Sequence, residues 1–300
     1  MADPKMHPDE VDTDAGLVAR MLAAQFPQWA HLPIRRVAST GTDNAMFRVG
    51  TRLCARLPRI EWAVGSLRRE QRWLPVLGPL LPLEVPVPAG VGAPIEEYPY
   101  PWSVLPWIEG EPAVRTDHSI DRVTCAVDLA HFLKALQAID TTGAPAPTES
   151  GRGRAITDRD QEVREAVAAL GSEIDADAVL AVWKQTMDAP AWPGKPVWIH
   201  SDLQGGNLLV REGRLRAVID FAPATGDPAV DLLPAWNLFH GEARDAFRSA
   251  LGVDDATWER GRGWALSVAL VALPYYLGLG TNPRIVADSR HDIQAILDAQ

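Results

Sequence analysis

The sequence contains only two cysteines, Cys54 and Cys125, among 300 residues. Two are too few for a disulfide framework, and no Cys-x-x-Cys spacing is present to hold zinc or run thiol exchange, so a reducing, cytoplasmic compartment is expected. Positive charge is also short: 29 Lys and Arg against 39 Asp and Glu leave a net charge of −10. Such a balance repels nucleic acid and anionic membranes and favours cationic partners. A signal peptide is not expected, because Met1 to Asp14 is polar, carries Pro4 and Pro8, and lacks an apolar stretch. The longest uncharged run, Gly263 to Pro283, is interrupted by Pro274 and diluted by Ser267, Tyr275 and glycines, which predicts a buried core helix and not a membrane span. Internal repeats and low-complexity tracts are missing as well.

What is there is an ordinary globular composition, 47% hydrophobic and 23% charged, long enough for two tightly joined domains or one large one. Apolar residues at Leu17, Val18, Met21, Leu22 and Phe26 recur at helical spacing and predict an amphipathic helix over Asp12 to Phe26, with Asp12, Thr13 or Asp14 as cap. Short runs over 34–38, 45–49 and 52–57, separated by turn residues, predict an antiparallel meander. Leu67 to Leu77 suits a helix that Pro75 should end or bend. Prolines and glycines from Pro82 to Pro99 predict short strands on rigid turns, and the sheet should finish near Trp102 to Trp107. Beyond Glu109-Gly110-Glu111-Pro112 the pattern becomes helical, over 123–139, 161–187 and 242–297, with a surface loop over 145–160.

The stretch from Trp198 to Ala235 carries the chemistry. Two apolar runs flank Glu212-Gly213, a dipeptide able to supply the positive φ angles of a tight hairpin turn. That hairpin would bring Asn207, at the mouth of one arm, beside Asp220 at the mouth of the other. An amide oxygen and a carboxylate make a hard-oxygen pair suited to Mg²⁺, which keeps waters and takes its other ligands from phosphate. Asp202, five residues before Asn207, is placed to accept a hydroxyl proton in phosphoryl transfer. His200-Ser201-Asp202-Leu203-Gln204-Gly205-Gly206-Asn207 follows the kinase catalytic loop H-x-D-L-x-x-x-N, with Asp220-Phe221 on a later turn.

On these residues, with Gly226-Asp227-Pro228-Ala229-Val230-Asp231-Leu232, Thr40-Gly41-Thr42-Asp43-Asn44, Arg56-Leu57-Pro58-Arg59, Glu70 and Trp107-Ile108-Glu109-Gly110-Glu111, the chain resembles the aminoglycoside phosphotransferase family. Ser201 stands where the family usually has glycine. The resemblance implies an α+β, two-lobed protein-kinase-like fold: a small antiparallel-sheet nucleotide-binding lobe over 1–106 and a mostly helical lobe over 107–300 with catalytic loop and substrate site. It implies Asp202 as base and Asn207 and Asp220 as Mg²⁺ ligands, with ATP or GTP as donor. Arg56 takes the place of the phosphate-holding lysine, paired with Glu70, and differs from an ammonium in its planar, bidentate geometry. Ser39, Thr40 and Thr42, in a loop with one glycine, would cradle phosphate, while the Pro106 carbonyl and Ile108 N–H would meet the base.

His200 reads as a residue that fixes the loop. Asp231 reads either as a helix cap or as an acceptor for the N–H groups of that loop. Trp236 and Tyr275 read either as core or as lining of an acceptor pocket. The resemblance makes an antibiotic the acceptor, first an aminoglycoside, which suits the negative charge. Another antibiotic (macrolide or peptide) or a metabolite alcohol fits the same fold, though the macrolide kinases replace the loop Asn with His and this chain keeps Asn207. A nucleotide-binding regulatory module without turnover is the rival from another class. A metal-dependent hydrolase built on His200 and Asp202 lacks further His or Glu ligands near the motif.

Overall fold

The computed structural model of the chain describes residues 10–37, 43–113, 119–145, 151–280 and 282–299. The chain divides into two compact units, the first comprising Met1–Leu80, Glu84–Glu109 and Ile219–Pro223, the second the remainder. This differs from the expected boundary near residue 106, since Leu81–Leu83 group with the second unit. The division falls after Glu109, and a five-residue segment containing Asp220 groups with the first unit although it follows Val218 in sequence.

The first unit opens with α1 (Ala15–Gln25), capped by Asp14, whose Oδ1 accepts from the Leu17 N–H at 2.7 Å. Strands β1 (Ile34–Arg36), β2 (Asn44–Val49) and β3 (Leu53–Pro58) form the expected meander. Helix α2 (Ala63–Leu77) begins one turn earlier than its apolar spacing suggested. Pro75 is tolerated because it lies in the last turn, and the helix stops two residues later. Between Pro82 and Pro99 the described residues form β4 (Gly90–Gly92) and isolated bridges at Glu84 and between Ile95 and Tyr98. With β5 (Trp102–Pro106) they complete an antiparallel sheet of order β1-β2-β3-β5-β4.

Strand periodicity gives this sheet two faces. Ala45, Phe47, Val49, Ala55, Leu57, Trp102 and Val104 are buried in one cluster with Leu17, Val18, Met21 and Leu22 of α1. The alternate residues Met46, Arg48, Cys54, Arg56, Ser103 and Leu105 therefore occupy the opposite face, with Arg56 opposite both Met46 and Ser103.

The second unit starts with β6 (Glu111–Pro112) and α3 (Arg122–Gln137), then α4 (Asp160–Leu170) and α5 (Ala176–Asp188). The loop expected over 145–160 is shorter than that, since a helical turn over Ile156–Arg159 buries Ile156 and leads directly into α4. Strand β7 (Val197–Ile199) is followed by the hairpin of β8 (Leu208–Arg211) and β9 (Arg214–Val218), then β10 (Ala224–Gly226), which returns to pair with β7. At the hairpin turn Glu212 has φ 56° and Gly213 φ 77°, the pair of positive values expected from the dipeptide. Helices α6 (Pro234–Asn237), α7 (Glu242–Leu251), α8 (Asp255–Leu279) and α9 (Pro283–Leu297) follow. Helix α8 is long and apolar enough to cross a membrane by length and composition, but Trp264, Leu266, Leu270 and Leu273 along it have 0% exposure. Shielded side chains of that kind mark a core helix.

Candidate active site

The sequence-predicted residues fall into two clusters, one in each unit. In the first unit, β3 and α2 bring Arg56 and Glu70 together: Arg56 Nη1 donates to Glu70 Oε2 at 2.9 Å, and both are almost fully buried. Arg56 Nη2 also bonds Asp220 Oδ1. Asn44, at the start of β2, joins them; with its amide oxygen turned to the guanidinium it accepts from Arg56 Nε at 3.3 Å and Nη2 at 3.0 Å. Burial opposes the charge on Arg56, but Glu70 and Asp220 outweigh it and raise the guanidinium pKa further, so Arg56 is a cation at any ordinary pH. Burial pushes the Glu70 carboxyl up against the pull of Arg56, and its Oε1 has no hydrogen-bond partner among the described residues. Asp220 is half-exposed with φ 54°, in the left-handed region that non-glycine residues occupy at a cost.

Other first-unit expectations are placed as follows. The Trp107 N–H is spent on the Arg52 carbonyl at 2.8 Å. Pro106 shares a strand edge with Val104, whose carbonyl accepts from the Ala89 N–H at 2.8 Å, so the Pro106 carbonyl is directed away from β3. Arg48 lies over the Trp107 ring, 4.0 Å from its centroid, and pairs with Glu109 at 2.9 Å. With Arg35, Arg36 and Val37 these two residues line a cavity of about 270 Å³. Ile108 follows directly and is half-buried. Ser39, Thr40 and Thr42 lie outside the described residues.

In the second unit the loop between β7 and β8 is built around Asp231, which is fully buried. Its Oδ2 accepts from the His200 N–H at 2.8 Å and its Oδ1 from the Ser201 N–H at 2.6 Å. Of the two readings of Asp231, the geometry is that of an acceptor for the loop. Burial pushes its carboxyl up to about 7, against the pull of those two N–H groups. Buried His200 accepts from the Asp202 N–H through Nδ1 at 3.2 Å. Ser201 has φ 69°, which explains why glycine suits this position: glycine reaches that conformation without strain, and the serine keeps the same path at a cost.

Asp202 is thereby presented with its carboxylate partly exposed. Asn207 Nδ2 donates to the Asp202 carbonyl at 2.9 Å and approaches Asp202 Oδ2 at 3.4 Å, which fixes the amide and leaves its Oδ1 outside these two contacts. Gln204 Nε2 reaches the same Oδ2 at 3.3 Å. On the other oxygen, Oδ1, sits Arg152, whose Nη1 also donates to the Ser201 carbonyl at 3.2 Å. Burial would raise the Asp202 carboxyl, but Arg152, with help from His200 and Gln204, outweighs burial and holds it below its ordinary value. The group is therefore ionised at neutral pH, as a proton acceptor must be. The Asn207 amide oxygen and the Asp220 carboxylate are the hard-oxygen donors that Mg²⁺ favours, so the residue types present fit that ion.

Sequence reasoning missed Arg152, and it named Asn44 in the resemblance without giving it a role. Arg152 carries no local signal, since its partner lies 50 residues away and it comes from a Gly- and charge-rich segment. The acceptor-pocket reading is corrected for Trp236, which is 1% exposed and packed at a tilt against Trp258, 4.9 Å between ring centroids, and so is core. Tyr275 is 51% exposed beside Tyr276, on the part of α8 beyond its buried stretch.

Comparison with known proteins follows the same lines. No curated protein sequence matches the chain. The GDP complex of wild-type aminoglycoside 2'-phosphotransferase-IIIa superposes with a TM-score of 0.77 at 17% identity, covering 96% of this chain and 99% of that one. Macrolide 2'-phosphotransferase MphH from Brachybacterium faecium superposes with a TM-score of 0.62 at 22% identity, covering 96% and 98%. The GDP and kanamycin complex of APH(2")-IIia gives 0.74 at 18% identity, covering 95% and 99%. These likenesses show the α+β kinase-like fold. A family model described as the phosphotransferase enzyme family matches residues 34–264, a span holding both side-chain clusters. With its loop motif, its fold and that match in agreement, the chain belongs to the phosphotransferase enzyme family.

Proposed function

We propose that the protein is a small-molecule kinase that moves the γ-phosphoryl group of ATP or GTP to a hydroxyl of an antibiotic. The observation that carries this reading is the Asp202 loop: an ionised carboxylate, a buried Asp231 holding the loop backbone from behind, and Asn207 tied to the same residue at 2.9 Å. Asp202 accepts the proton of the attacking hydroxyl at a carboxylate oxygen while the new O–P bond forms and the bond from the γ-phosphorus to its bridging oxygen breaks, which releases the nucleoside diphosphate. Arg56, charged and fixed by Glu70, binds the phosphates of the donor; a guanidinium does so through two N–H groups at once. Asn207 and Asp220 would hold Mg²⁺, which, when bound, neutralises negative charge on the phosphates. The Pro106 carbonyl and Ile108 N–H would bond the base.

GDP and kanamycin in the complexes of the similar proteins support a nucleotide donor and an antibiotic acceptor. An aminoglycoside is the leading acceptor, because a surface of net charge −10 draws polycations. Two unpaired, buried cysteines, whose thiols burial raises to about 12 at Cys54 and about 11 at Cys125, suit a reducing, cytoplasmic setting. The reading is tested by incubating the protein with γ-labelled ATP or GTP, Mg²⁺ and a panel of aminoglycosides, macrolides, peptide antibiotics and amino alcohols. Mass spectrometry should find a product heavier by one phosphoryl group. Labelled donor consumed only to inorganic phosphate, or not at all, would overturn it.

A further inference from the structure

The partner that faces the Asp202 carboxylate is a cation. Arg152 bonds Oδ1 and the neighbouring Ser201 carbonyl, and its side chain is 29% exposed. Its position is built by the chain on either side. Gly151 and Gly153 both take left-handed φ values, 77° and 86°. A Cβ on Gly153 would fall 2.2 Å from Ile199 Cδ1, and one on Gly226 would fall 2.2 Å from the Gly153 carbonyl oxygen, so only glycines allow this approach. The Gly153 carbonyl accepts from the Asp227 N–H at 2.8 Å. Asp227 is itself locked by Arg260, Nε to Oδ2 at 2.7 Å, in a buried ion pair. Arg152 is thus mounted on the same β7–β10 ribbon that leads into the catalytic loop.

A hydroxyl that gives its proton to Asp202 comes within about 3 Å of a carboxylate oxygen. Its nearest substituents then lie within a few ångströms of the guanidinium, well inside a Debye length of about 8 Å at physiological salt. We propose that Arg152 is a specificity-determining residue that selects acceptors by the charge next to the reacting hydroxyl, favouring neutral or anionic substituents there and rejecting ammonium groups. The proposal rests on the kinase reading and deepens it. Overall negative charge draws a cationic acceptor from a distance, and Arg152 turns its ammonium groups away from the base at close range.

The test compares neomycin with its fully N-acetylated derivative, the same scaffold with its amine charges removed. Binding is measured by calorimetry to the wild type, Arg152→Gln and Arg152→Lys, each with Mg²⁺ and a non-hydrolysable ATP analogue. Arg152→Gln should raise the affinity ratio of neomycin over the acetylated compound about tenfold, and Arg152→Lys should leave it near the wild-type value. A ratio changed less than twofold by Arg152→Gln, or binding of neither compound to any of the three proteins, would overturn the proposal. Phosphorylated product from the acceptor panel is scored separately, so that loss of the kinase reading is told apart from loss of the charge filter.

Discussion

Arg56 and Asp202 are held in opposite ways. The Arg56 cluster is made of side chains holding side chains: a buried guanidinium between Glu70, Asp220 and Asn44, drawn from two strands, a helix and a turn. The Asp202 cluster is a backbone held in place, with Asp231 accepting from two consecutive N–H groups so that one loop presents its carboxylate outward. The contrast follows the chemistry. Under the proposed roles, a phosphate-binding cation needs a counter-charge that keeps it fixed when phosphate is absent, whereas a base needs an ionised oxygen with room for a hydroxyl. Removing Arg56 should therefore damage fold and donor binding together, and removing Asp202 should damage chemistry alone.

The largest stability effect is expected at the first cluster. Arg56→Ala leaves Glu70 buried without its cation, which costs about 3–5 kcal/mol, and should weaken donor binding in calorimetry. Arg56→Lys should recover part of both, since an ammonium keeps the charge and loses the fork geometry. Donor affinity unchanged in Arg56→Ala would detach this cluster from the nucleotide. A smaller effect is expected at Asp231. Asp231→Asn keeps one acceptor oxygen and orphans one loop N–H, a loss of about 1–3 kcal/mol in thermal or urea unfolding.

The smallest effect is the pH dependence at the same residue. Burial raises the Asp231 carboxyl to about 7 in the fold, against about 3.9 in the unfolded chain. An acid raised in this way stabilises the fold fully below its unfolded pKa and loses that contribution as pH climbs through its folded pKa. Wild-type stability should thus decline between about pH 4 and 7, the window those two values set, and level off above it, and Asp231→Asn should remove that part of the slope. A slope identical in both proteins would show that Asp231 does not titrate there.

Much of this was legible in the sequence wherever the signal was local. The meander, the helices and the Glu212-Gly213 hairpin follow from spacing and turn chemistry, and Asp202 and Asn207 stand in one continuous motif. Arg56 and Glu70 were legible only through family resemblance, because a strand residue and a helix residue 14 positions apart carry no pairing signal of their own. Arg152 was not legible, because its contact depends on folding that brings together residues 50 positions apart, and Asn44, though named in the resemblance, showed no role until the β2–β3 pairing set it beside Arg56. Trp236 shows the opposite limit, since an aromatic near a motif reads alike as pocket or core until its burial is known.

The division of labour between the two clusters comes down to Asp202→Ala, assayed for both phosphoryl transfer and binding of the Mg²⁺-nucleotide complex. Transfer to the acceptor should fall by about 10² to 10⁴-fold or more, while nucleotide affinity and melting temperature stay close to wild type. Turnover at the wild-type rate in that variant would contradict the account at its centre.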